Sequence, residues 1–80
     1  MGDETFGQRL RRFRDERFLS QAELSERAGI ARAGLSRLEN DQTVPIQRTV
    51  RRLAEALGIE PHQLIRPDEL RARRGEGAAA

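Results

Sequence analysis

The 80-residue sequence contains no cysteine and only one histidine, and these absences exclude most kinds of metal site. Without cysteine the chain can form neither a disulfide nor a thiolate metal site. His62 cannot hold a metal ion by itself, so we expect no metal and no cofactor. A chain without disulfides also fits a protein of the reducing cytoplasm.

Long apolar runs are missing as well. No stretch approaches the ~18 consecutive apolar residues that a membrane-spanning helix needs. The N-terminal sequence MGDETF is acidic and lacks the basic and apolar regions of a secretory signal peptide. The sequence therefore predicts a soluble, cytoplasmic chain that does not contact a membrane.

The chain is poor in the residues that build sheets and catalytic sites. Hydrophobic residues make up 36% of it, there is no tyrosine or tryptophan, and no β-branched residues alternate over four positions. The apolar residues fall at helical spacing, which predicts an all-α domain. Because no nucleophile–base pair, carboxylate pair or glycine-rich phosphate loop occurs, we predict no catalytic residues and no enzyme.

Lysine is also absent, and the chain has 15 arginines and a net charge of +2. Two interpretations of this bias stay open. Guanidinium groups recognise phosphates and guanine edges better than ammonium groups do. A GC-rich genome would equally favour arginine codons throughout its proteins. Net charge alone does not indicate a nucleic-acid partner, so the positions of the arginines must decide.

Residues 20–40, SQAELSERAGIARAGLSRLEN, have the pattern of a helix, a tight turn and a second helix. Ser20 and Glu23 have the spacing of a capping box, in which each side chain hydrogen-bonds the other residue's backbone N–H. Gly29 stands where a left-handed residue ends a helix at the least steric cost. The sequence therefore predicts a helix-turn-helix motif.

The second helix of this motif is predicted over residues 31–40. Leu35 and Leu38 are its only large apolar residues, so this i, i+3 pair must face the core. The residues left on the outer face are cationic, small or able to hydrogen-bond: Arg32, Ala33, Ser36 and Arg37. Such a face suits the major groove of DNA.

Three further helices flank the motif. The first is predicted over residues 5–17, with a buried stripe formed by Phe6, Leu10 and Phe13 and with arginines around the rest of its surface. The others are predicted over residues 46–57 and 61–65. Phe18 occupies the place where a glycine normally ends a helix, so either it adopts a strained left-handed conformation or the turn is built differently.

Residues outside these five helices are predicted to be poorly ordered. We assign residues 1–4 to a disordered N-terminus, residues 5–66 to one domain and residues 67–80 to a flexible tail. The tail has one large apolar residue, Leu70, and cannot bury enough surface to offset its ordering entropy. The expected architecture is one compact five-helix domain followed by that tail.

The stretch FGQRLRRFRDERFLSQAELSERAGIARAGLSRLEN resembles the helix-turn-helix domain of phage lambda-repressor and Cro-like regulators, the XRE family. The shared features stand in register: the Leu-Ser-Gln opening, the Ala-Gly-Ile turn, the Leu-Ser-Arg-Leu-Glu-Asn run and a later Leu-Ala-Glu-Ala-Leu-Gly-Ile helix end. The resemblance covers roughly residues 6–65. It implies that the 31–40 helix lies in the major groove while the preceding helix crosses the DNA backbone.

The resemblance also implies roles for single residues. Arg32 and Arg37 match base-reading positions and would contact guanine, while Ala33 and Ser36 would complete the base-reading face. The residues expected to contact phosphate are Gln21, Asn40, Gln42, Thr43 and Arg48. Arg14 and Glu39 match positions that form a structural ion pair beneath the DNA surface.

Three departures from the family pattern affect the site. Ala31 stands where a Ser or Thr usually caps the recognition helix, a change that costs about 1 kcal/mol. Gly34 lies inside that helix, where glycine is unfavourable. Asp41 replaces a frequent glycine and would bring a negative charge near a DNA phosphate.

The leading hypothesis is a sequence-specific, double-stranded-DNA-binding transcription regulator, in its simplest form a repressor that binds a palindromic operator as a homodimer. Dimer contacts are expected from the last helices, through Ile59, Leu64, Ile65 or Leu70. The alternative is a protein-interaction module or antitoxin-type adaptor that uses the same fold, with the C-terminal tail folding on a protein partner. The outward arginines favour DNA, whereas Asp41 and the modest net charge favour a protein partner.

Overall fold

Five α-helices make up the fold in the computed structural model, which describes residues 4–70. They are α1 (Phe6–Glu16), α2 (Gln21–Ala28), α3 (Arg32–Glu39), α4 (Gln47–Leu57) and α5 (Pro61–Leu64), followed by a 3-10 helix (Pro67–Glu69). No strand occurs within this range, which confirms the predicted all-α, five-helix class. None of the described helices is long and apolar enough to cross a membrane.

The helix ends follow the predicted local signals. Ser20 Oγ accepts a hydrogen bond from the Glu23 N–H at 2.9 Å, and the Glu23 carboxylate accepts one from the Ser20 N–H at 2.8 Å, which completes the predicted capping box. The hydrogen bond that the carboxylate accepts from the Ser20 backbone N–H is the main cause of a lowered pKa of Glu23, and the Ser20 side chain adds to it. Gly29 ends α2 with φ of 73° and Gly58 ends α4 with φ of 75°, as their left-handed role requires.

Phe18 adopts the first of the two alternatives predicted for it, the strained left-handed conformation. Its φ is 54°, its N–H donates to the Asp15 carbonyl, and the next N–H, of Leu19, donates to the Arg14 carbonyl. This hydrogen-bond pattern ends a helix in the same way as a glycine would. Because the backbone is held there, the side chain of Phe18 is left 92% exposed.

The core receives one fully buried leucine from each of the five helices. These are Leu10, Leu24, Leu35, Leu53 and Leu64, and each contributes roughly 2 kcal/mol by leaving water. Leu64 and Ile65 are only 0% and 6% exposed, so the expectation that they form dimer contacts is wrong. Ile59 and Leu70, the other two expected contacts, are partly buried against the same core.

The C-terminal boundary differs from the predicted one. Pro67–Glu69 forms a 3-10 helix and Leu70 packs partly against the core, although a flexible tail was predicted from residue 67. The ordering comes from Arg9, a predicted surface residue that is 8% exposed and hydrogen-bonds both the Leu64 carbonyl and the Glu69 carboxylate. The rest of the predicted tail, residues 71–80, lies outside the described residues, as do residues 1–3.

Glu4, placed in the predicted disordered N-terminus, is tied to the first helix. Its carboxylate accepts hydrogen bonds from Arg12 Nε at 2.6 Å and from Arg12 Nη2 at 3.0 Å. The side-chain hydrogen bond from Arg12 lowers the pKa of Glu4. The ordered structure therefore begins at least one residue before the predicted domain.

Candidate nucleic-acid interface

Helix α3 has one buried face and one exposed face. Leu35, Leu38 and Glu39 point inward and are 0%, 5% and 4% exposed. The outer face carries the four predicted base-reading residues, of which Ser36 is half-buried and the other three are exposed: Arg32, Ala33, Ser36 and Arg37. Eight residues make α3 about 12 Å long, so these side chains share one short surface.

The two arginines of this face have little to hold them within the chain. Arg37 Nη1 donates a hydrogen bond of 3.3 Å to the Ala33 carbonyl, one turn earlier in the same helix. Neither Arg37 nor Arg32 forms an ion pair with any side chain of residues 4–70. Both guanidinium groups can therefore reach an external acceptor without breaking an internal salt bridge.

The start of α3 has no side-chain cap. Ala31 occupies the N-cap position with extended backbone angles, and its methyl group cannot accept a hydrogen bond. The first backbone N–H groups of a helix have no partner inside the helix. Because Ala31 supplies none either, this end of α3 presents N–H donors and the positive end of the helix dipole.

Glu39 joins three helices from beneath the exposed face. Its fully buried carboxylate accepts hydrogen bonds from Arg14 Nε at 2.6 Å, Arg14 Nη2 at 2.9 Å and Gln21 Nε2 at 2.9 Å. Arg11 Nε approaches it at 3.8 Å. Hydrogen bonding to Glu39 raises the pKa of Arg14. This network fixes the end of α3 against α1 and the start of α2.

Gln21 is placed differently from its predicted phosphate-contacting role. Its side-chain amide nitrogen is used by Glu39 and is half-buried. The backbone N–H groups of the first turn of α2 lie at this same helix start and lack intrahelical partners. An anion at the start of α2 would therefore be bound mainly by backbone N–H groups. The Gln21 side chain would hold the helix in position through Glu39.

The remaining predicted phosphate contacts lie at and beyond the end of α3. Asn40 is exposed, and its amide nitrogen donates to the Ser36 carbonyl at 3.0 Å. Gln42 and Thr43 are exposed in the loop that follows, and Arg48 is exposed in the first turn of α4. These exposed side chains thus follow the C-terminal end of α3 in the loop and at the start of the next helix.

Asp41 is exposed, and its carboxylate is held at the start of α1 by hydrogen bonds that were not predicted. Its carboxylate accepts hydrogen bonds from the Thr5 hydroxyl at 2.5 Å and from the Gly7 N–H at 2.9 Å, at the start of α1. Asp41 is left-handed, with φ of 56°, and this turn directs the side chain back toward α1. The negative charge therefore neutralises a helix N-terminus.

Gly7 allows this contact between α1 and α3. A Cβ at this position would lie 2.5 Å from the Glu39 carbonyl oxygen and 2.6 Å from that of Leu38. Both neighbours are backbone atoms, so they cannot move aside without displacing α3. Glycine is required here for close approach of the two helices.

Sequence reasoning missed the burial of Arg9. Its guanidinium donates to the Leu64 carbonyl at 2.8 Å, to Glu69 Oε1 at 2.9 Å and to the Glu4 carbonyl at 3.1 Å. The signal was present, because position 9 is i+3 from Phe6 and therefore lies on the apolar stripe of α1. An arginine on such a stripe must find acceptors inside the protein.

Among residues 4–70 no group of three His, Asp or Glu side chains is arranged to hold a metal ion. The exposed face of α3 carries arginines and hydrogen-bonding groups. With free helix N–H groups at the starts of α2 and α3, it can bind a surface that carries regularly spaced anions and hydrogen-bond acceptors.

Comparison with known proteins shows which protein family shares these features. Residues 5–66 match the family described as the helix-turn-helix domain. The chain is 46% identical over 57 residues to the HTH-type transcriptional repressor RghR of Bacillus subtilis. The matched region covers 70% of this chain and 42% of RghR. It also spans 54% of the transcriptional regulator SinR of the same organism, so it covers about half the length of these curated relatives.

Two solved structures show the same arrangement of helices. The restriction-modification controller protein C.AhdI from Aeromonas hydrophila is 38% identical with a TM-score of 0.73, over 75% of this chain and 91% of C.AhdI. SinR, the master regulator for biofilm formation, in complex with DNA is 31% identical with a TM-score of 0.72, over 75% of this chain and 97% of that one. The fold and the sequence pattern therefore agree.

Proposed function

The chain belongs to the lambda-repressor and Cro-like family of helix-turn-helix domains, and from this premise we propose that it is a DNA-binding transcription regulator that reads base edges with α3. The family consists of transcription regulators and not of enzymes. RghR is named a repressor, and repression is the simplest form of the activity proposed for this chain.

The observation that carries the proposal is the outer face of α3. Arg32 and Arg37 are exposed on it without internal ion pairs, while the buried face of the same helix is held by the core and by Glu39. A guanidinium can donate two hydrogen bonds to O6 and N7 of guanine, and each such contact discriminates by roughly 1–3 kcal/mol. Ala33 and Ser36 between them fit a thymine methyl and a polar base edge.

Phosphate contacts would orient this face on the duplex. The unpaired N–H groups at the start of α2 are proposed to hold one phosphate, with Gln21 fixing that helix end through Glu39. Asn40, Gln42, Thr43 and Arg48 are proposed to contact the backbone on the other side of α3. Such contacts set the position of the protein but carry no sequence information themselves.

One domain of this size reads only a few base pairs, so we propose that two copies bind a palindromic operator. Half-sites related by a two-fold axis would lie about 34 Å apart, one helical turn of DNA. This spacing brings both α3 helices into successive major grooves on one side of the duplex.

The experiment is selection of binding sites from a randomised duplex pool at near-physiological salt, with the full 80-residue chain. The Arg32→Ala, Arg37→Ala double variant is selected in parallel, and its thermal unfolding is measured to check that it folds. An enriched palindrome that the double variant no longer selects supports the proposal. Retention on DNA that falls with salt but shows no enrichment, equal in both proteins, contradicts base reading by these arginines.

The alternative use of the fold is to hold a protein partner. SinR, one of the solved relatives, is also known in a complex with the SinI protein. For this chain Asp41, the charge that favoured the alternative, is exposed but already accepts hydrogen bonds from the start of α1. Absence of any enriched site in the selection would bring this alternative forward.

A further inference from the structure

The turn that follows α3 carries three of the proposed phosphate contacts. Its four residues are all exposed: Asn40, Asp41, Gln42 and Thr43. The Asp41 N–H donates to the Leu38 carbonyl at 3.1 Å and the Gln42 N–H donates to the Arg37 carbonyl at 2.9 Å, which closes the end of the helix. Because an exposed turn gains little stability from packing, its position depends on the few contacts that it makes with other segments.

Asp41 supplies such a contact, between the turn and the start of α1. Its Oδ1 accepts a hydrogen bond from the Gly7 N–H at 2.9 Å, and its Oδ2 accepts one from the Thr5 hydroxyl at 2.5 Å. Asn40 instead hydrogen-bonds within α3, to the Ser36 carbonyl. The hydrogen bonds of Asp41 with Thr5 and Gly7 are called the α1–turn contact below.

The start of α1 offers two donors that fit a carboxylate. Thr5 is the N-cap, and its hydroxyl oxygen accepts a hydrogen bond from the Gln8 N–H at 3.1 Å, so its own O–H remains available to Asp41. The Gly7 N–H belongs to the first turn and has no partner inside the helix. The absence of a side chain at Gly7 allows the approach, because a Cβ there would lie 2.8 Å from Asp41 Oδ2.

The backbone of Asp41 has the left-handed conformation that favours glycine, with φ of 56°. Aspartate and asparagine tolerate this conformation better than other residues with a side chain, but glycine adopts it at the least steric cost. A glycine would therefore form the same turn, and the resemblance to the family leads us to expect one at this position. Only a residue with a polar side chain can also form the α1–turn contact.

We propose that Asp41 is a positioning residue for DNA binding: the α1–turn contact holds Asn40, Gln42 and Thr43 where they can contact the DNA backbone. The inference rests on the proposed function, which supplies the phosphates. Holding a segment in its bound position before binding reduces the entropy that binding must remove. Asp41 thereby strengthens DNA binding although its own charge has the same sign as DNA.

The charge of Asp41 and its position predict effects of opposite sign. An exposed carboxylate close to a phosphate repels it, so loss of the charge alone should strengthen DNA binding. Loss of the α1–turn contact should weaken binding, because the three neighbouring side chains are then no longer held. Two neutral substitutions at the same position can separate the two effects.

The test compares Asp41→Asn with Asp41→Gly in the full 80-residue chain. Both substitutions remove the same charge, and both new residues adopt left-handed backbone angles. The asparagine oxygen can accept from the Gly7 N–H and its amide can donate to the Thr5 hydroxyl oxygen, so the α1–turn contact is kept. Glycine cannot form this contact.

Binding to a duplex from the selection is measured by fluorescence anisotropy at several salt concentrations. We expect Asp41→Gly to bind at least roughly fivefold more weakly than Asp41→Asn. The plot of log affinity against log salt should be shallower for Asp41→Gly, by about 0.9 for each phosphate contact that is lost. A residue that only stabilised the fold would leave this slope unchanged, and circular dichroism at the assay temperature checks that both variants are folded.

A change on the α1 side of the contact controls for the added backbone freedom of glycine. Thr5→Val removes the hydroxyl donor and leaves the turn and the charge unchanged, while Thr5→Ser keeps the hydroxyl. Thr5→Val should weaken DNA binding relative to Thr5→Ser, by less than Asp41→Gly does because the Gly7 N–H still reaches Asp41. Equal affinity of the two Thr5 variants would contradict the part assigned to the hydroxyl.

Amide hydrogen exchange tests the contact without DNA. The N–H groups of Gly7 and Gln42 should exchange faster in Asp41→Gly than in Asp41→Asn, while the N–H of Leu35 in the core of α3 should not differ. Equal exchange in the two variants would overturn the α1–turn contact, whatever the DNA measurements show.

The same variants distinguish failure of this inference from failure of the proposed function. Enrichment of no duplex by the unsubstituted chain would contradict the proposed function itself. Equal affinities and equal salt slopes of Asp41→Asn and Asp41→Gly on an enriched duplex would overturn the role of Asp41 alone. If both variants bound more tightly than the unsubstituted chain by the same factor, Asp41 would act through its charge and not by positioning the turn.

Discussion

The arginines of α1 and those of α3 and α4 are the same residue type in two different situations. In α1 and at its C-cap, three guanidiniums hydrogen-bond a carboxylate or a carbonyl of a distant segment: Arg9, Arg14 and Arg17. Arg12 pairs with the nearby Glu4 at the surface, and Arg11 is exposed. The arginines of α3 and α4 are all exposed and form no ion pair within residues 4–70: Arg32, Arg37, Arg48, Arg51 and Arg52.

This difference shows what each set contributes. Arg9, Arg14 and Arg17 connect the first helix to distant parts of the chain, and their hydrogen-bonding capacity is used in folding. The α3 and α4 arginines have unused donors, which makes them the set that can bind an external anion. Net charge counts both sets alike, which explains why a value of +2 said little about a partner.

The largest effect in the first set is expected from Glu39→Ala. The substitution removes the acceptor of two Arg14 hydrogen bonds and of the Gln21 amide, and leaves the largely buried Arg14 with only the exposed Asp15, 3.5 Å away, as a counterion. Breaking such a buried pair costs about 3–5 kcal/mol. Urea unfolding followed by circular dichroism would measure the loss, and a change below about 1 kcal/mol would contradict this account of Glu39.

Arg9→Met should cost less, about 2 kcal/mol, because it leaves the Leu64 carbonyl and the partly buried Glu69 carboxylate without a donor. The matched control is Arg12→Met, whose guanidinium pairs with Glu4 at the surface. Because solvent screens that exposed pair, its loss should destabilise the fold less than the loss of Arg9 does. Equal losses in the two variants would mean that burial does not distinguish these arginines.

Acid should weaken the same contact. Burial tends to raise the pKa of Glu69, but hydrogen bonds from Arg9 and from the Arg66 backbone outweigh it, so the pKa is lowered below 4.5. A carboxylate with a lowered pKa in the folded state stabilises the fold above its unfolded pKa and loses that contribution as pH falls through its folded pKa.

The free energy of unfolding should therefore decrease between about pH 5 and pH 3. Glu69→Gln should decrease less steeply, so that the difference between the two proteins shrinks as the solution becomes more acidic. Parallel pH profiles for the two proteins, measured by urea unfolding, would show that the Glu69 charge does not hold the C-terminal segment.

The smallest effect on stability is expected from the second set. Arg32→Ala with Arg37→Ala removes no ion pair within residues 4–70, so the free energy of unfolding should change by no more than about 0.5 kcal/mol. Affinity for a selected duplex should nevertheless fall by at least roughly tenfold, because one lost base contact costs 1–3 kcal/mol. A large loss of stability would show that these side chains support the fold after all.

Local sequence patterns predicted the helices well because their causes are local. Ser20, Glu23 and Gly29 act within a few residues of themselves, and α3 divides into two faces through the spacing of Leu35 and Leu38. The exposed face was therefore predictable as a surface. The base and phosphate contacts assigned to its residues stay predictions, since they depend on a second molecule.

Long-range contacts were not predictable in the same way. Arg9 reaches acceptors 55 and 60 residues away, and Asp41 reaches donors 34 and 36 residues away. No periodicity carries information across such separations. This is why the predicted tail begins too early and why the hydrogen bonds from Asp41 to the start of α1 were not predicted.

The two faces of α3 also determine which positions of this domain can be substituted during evolution. Its inward residues complete the core and the Glu39 network, whereas three of its four outward residues are exposed, and Ser36 is half-buried. Those outward positions can therefore be exchanged without repair elsewhere in the chain. Substitutions on one short helix can thus change what the domain binds while the fold stays the same.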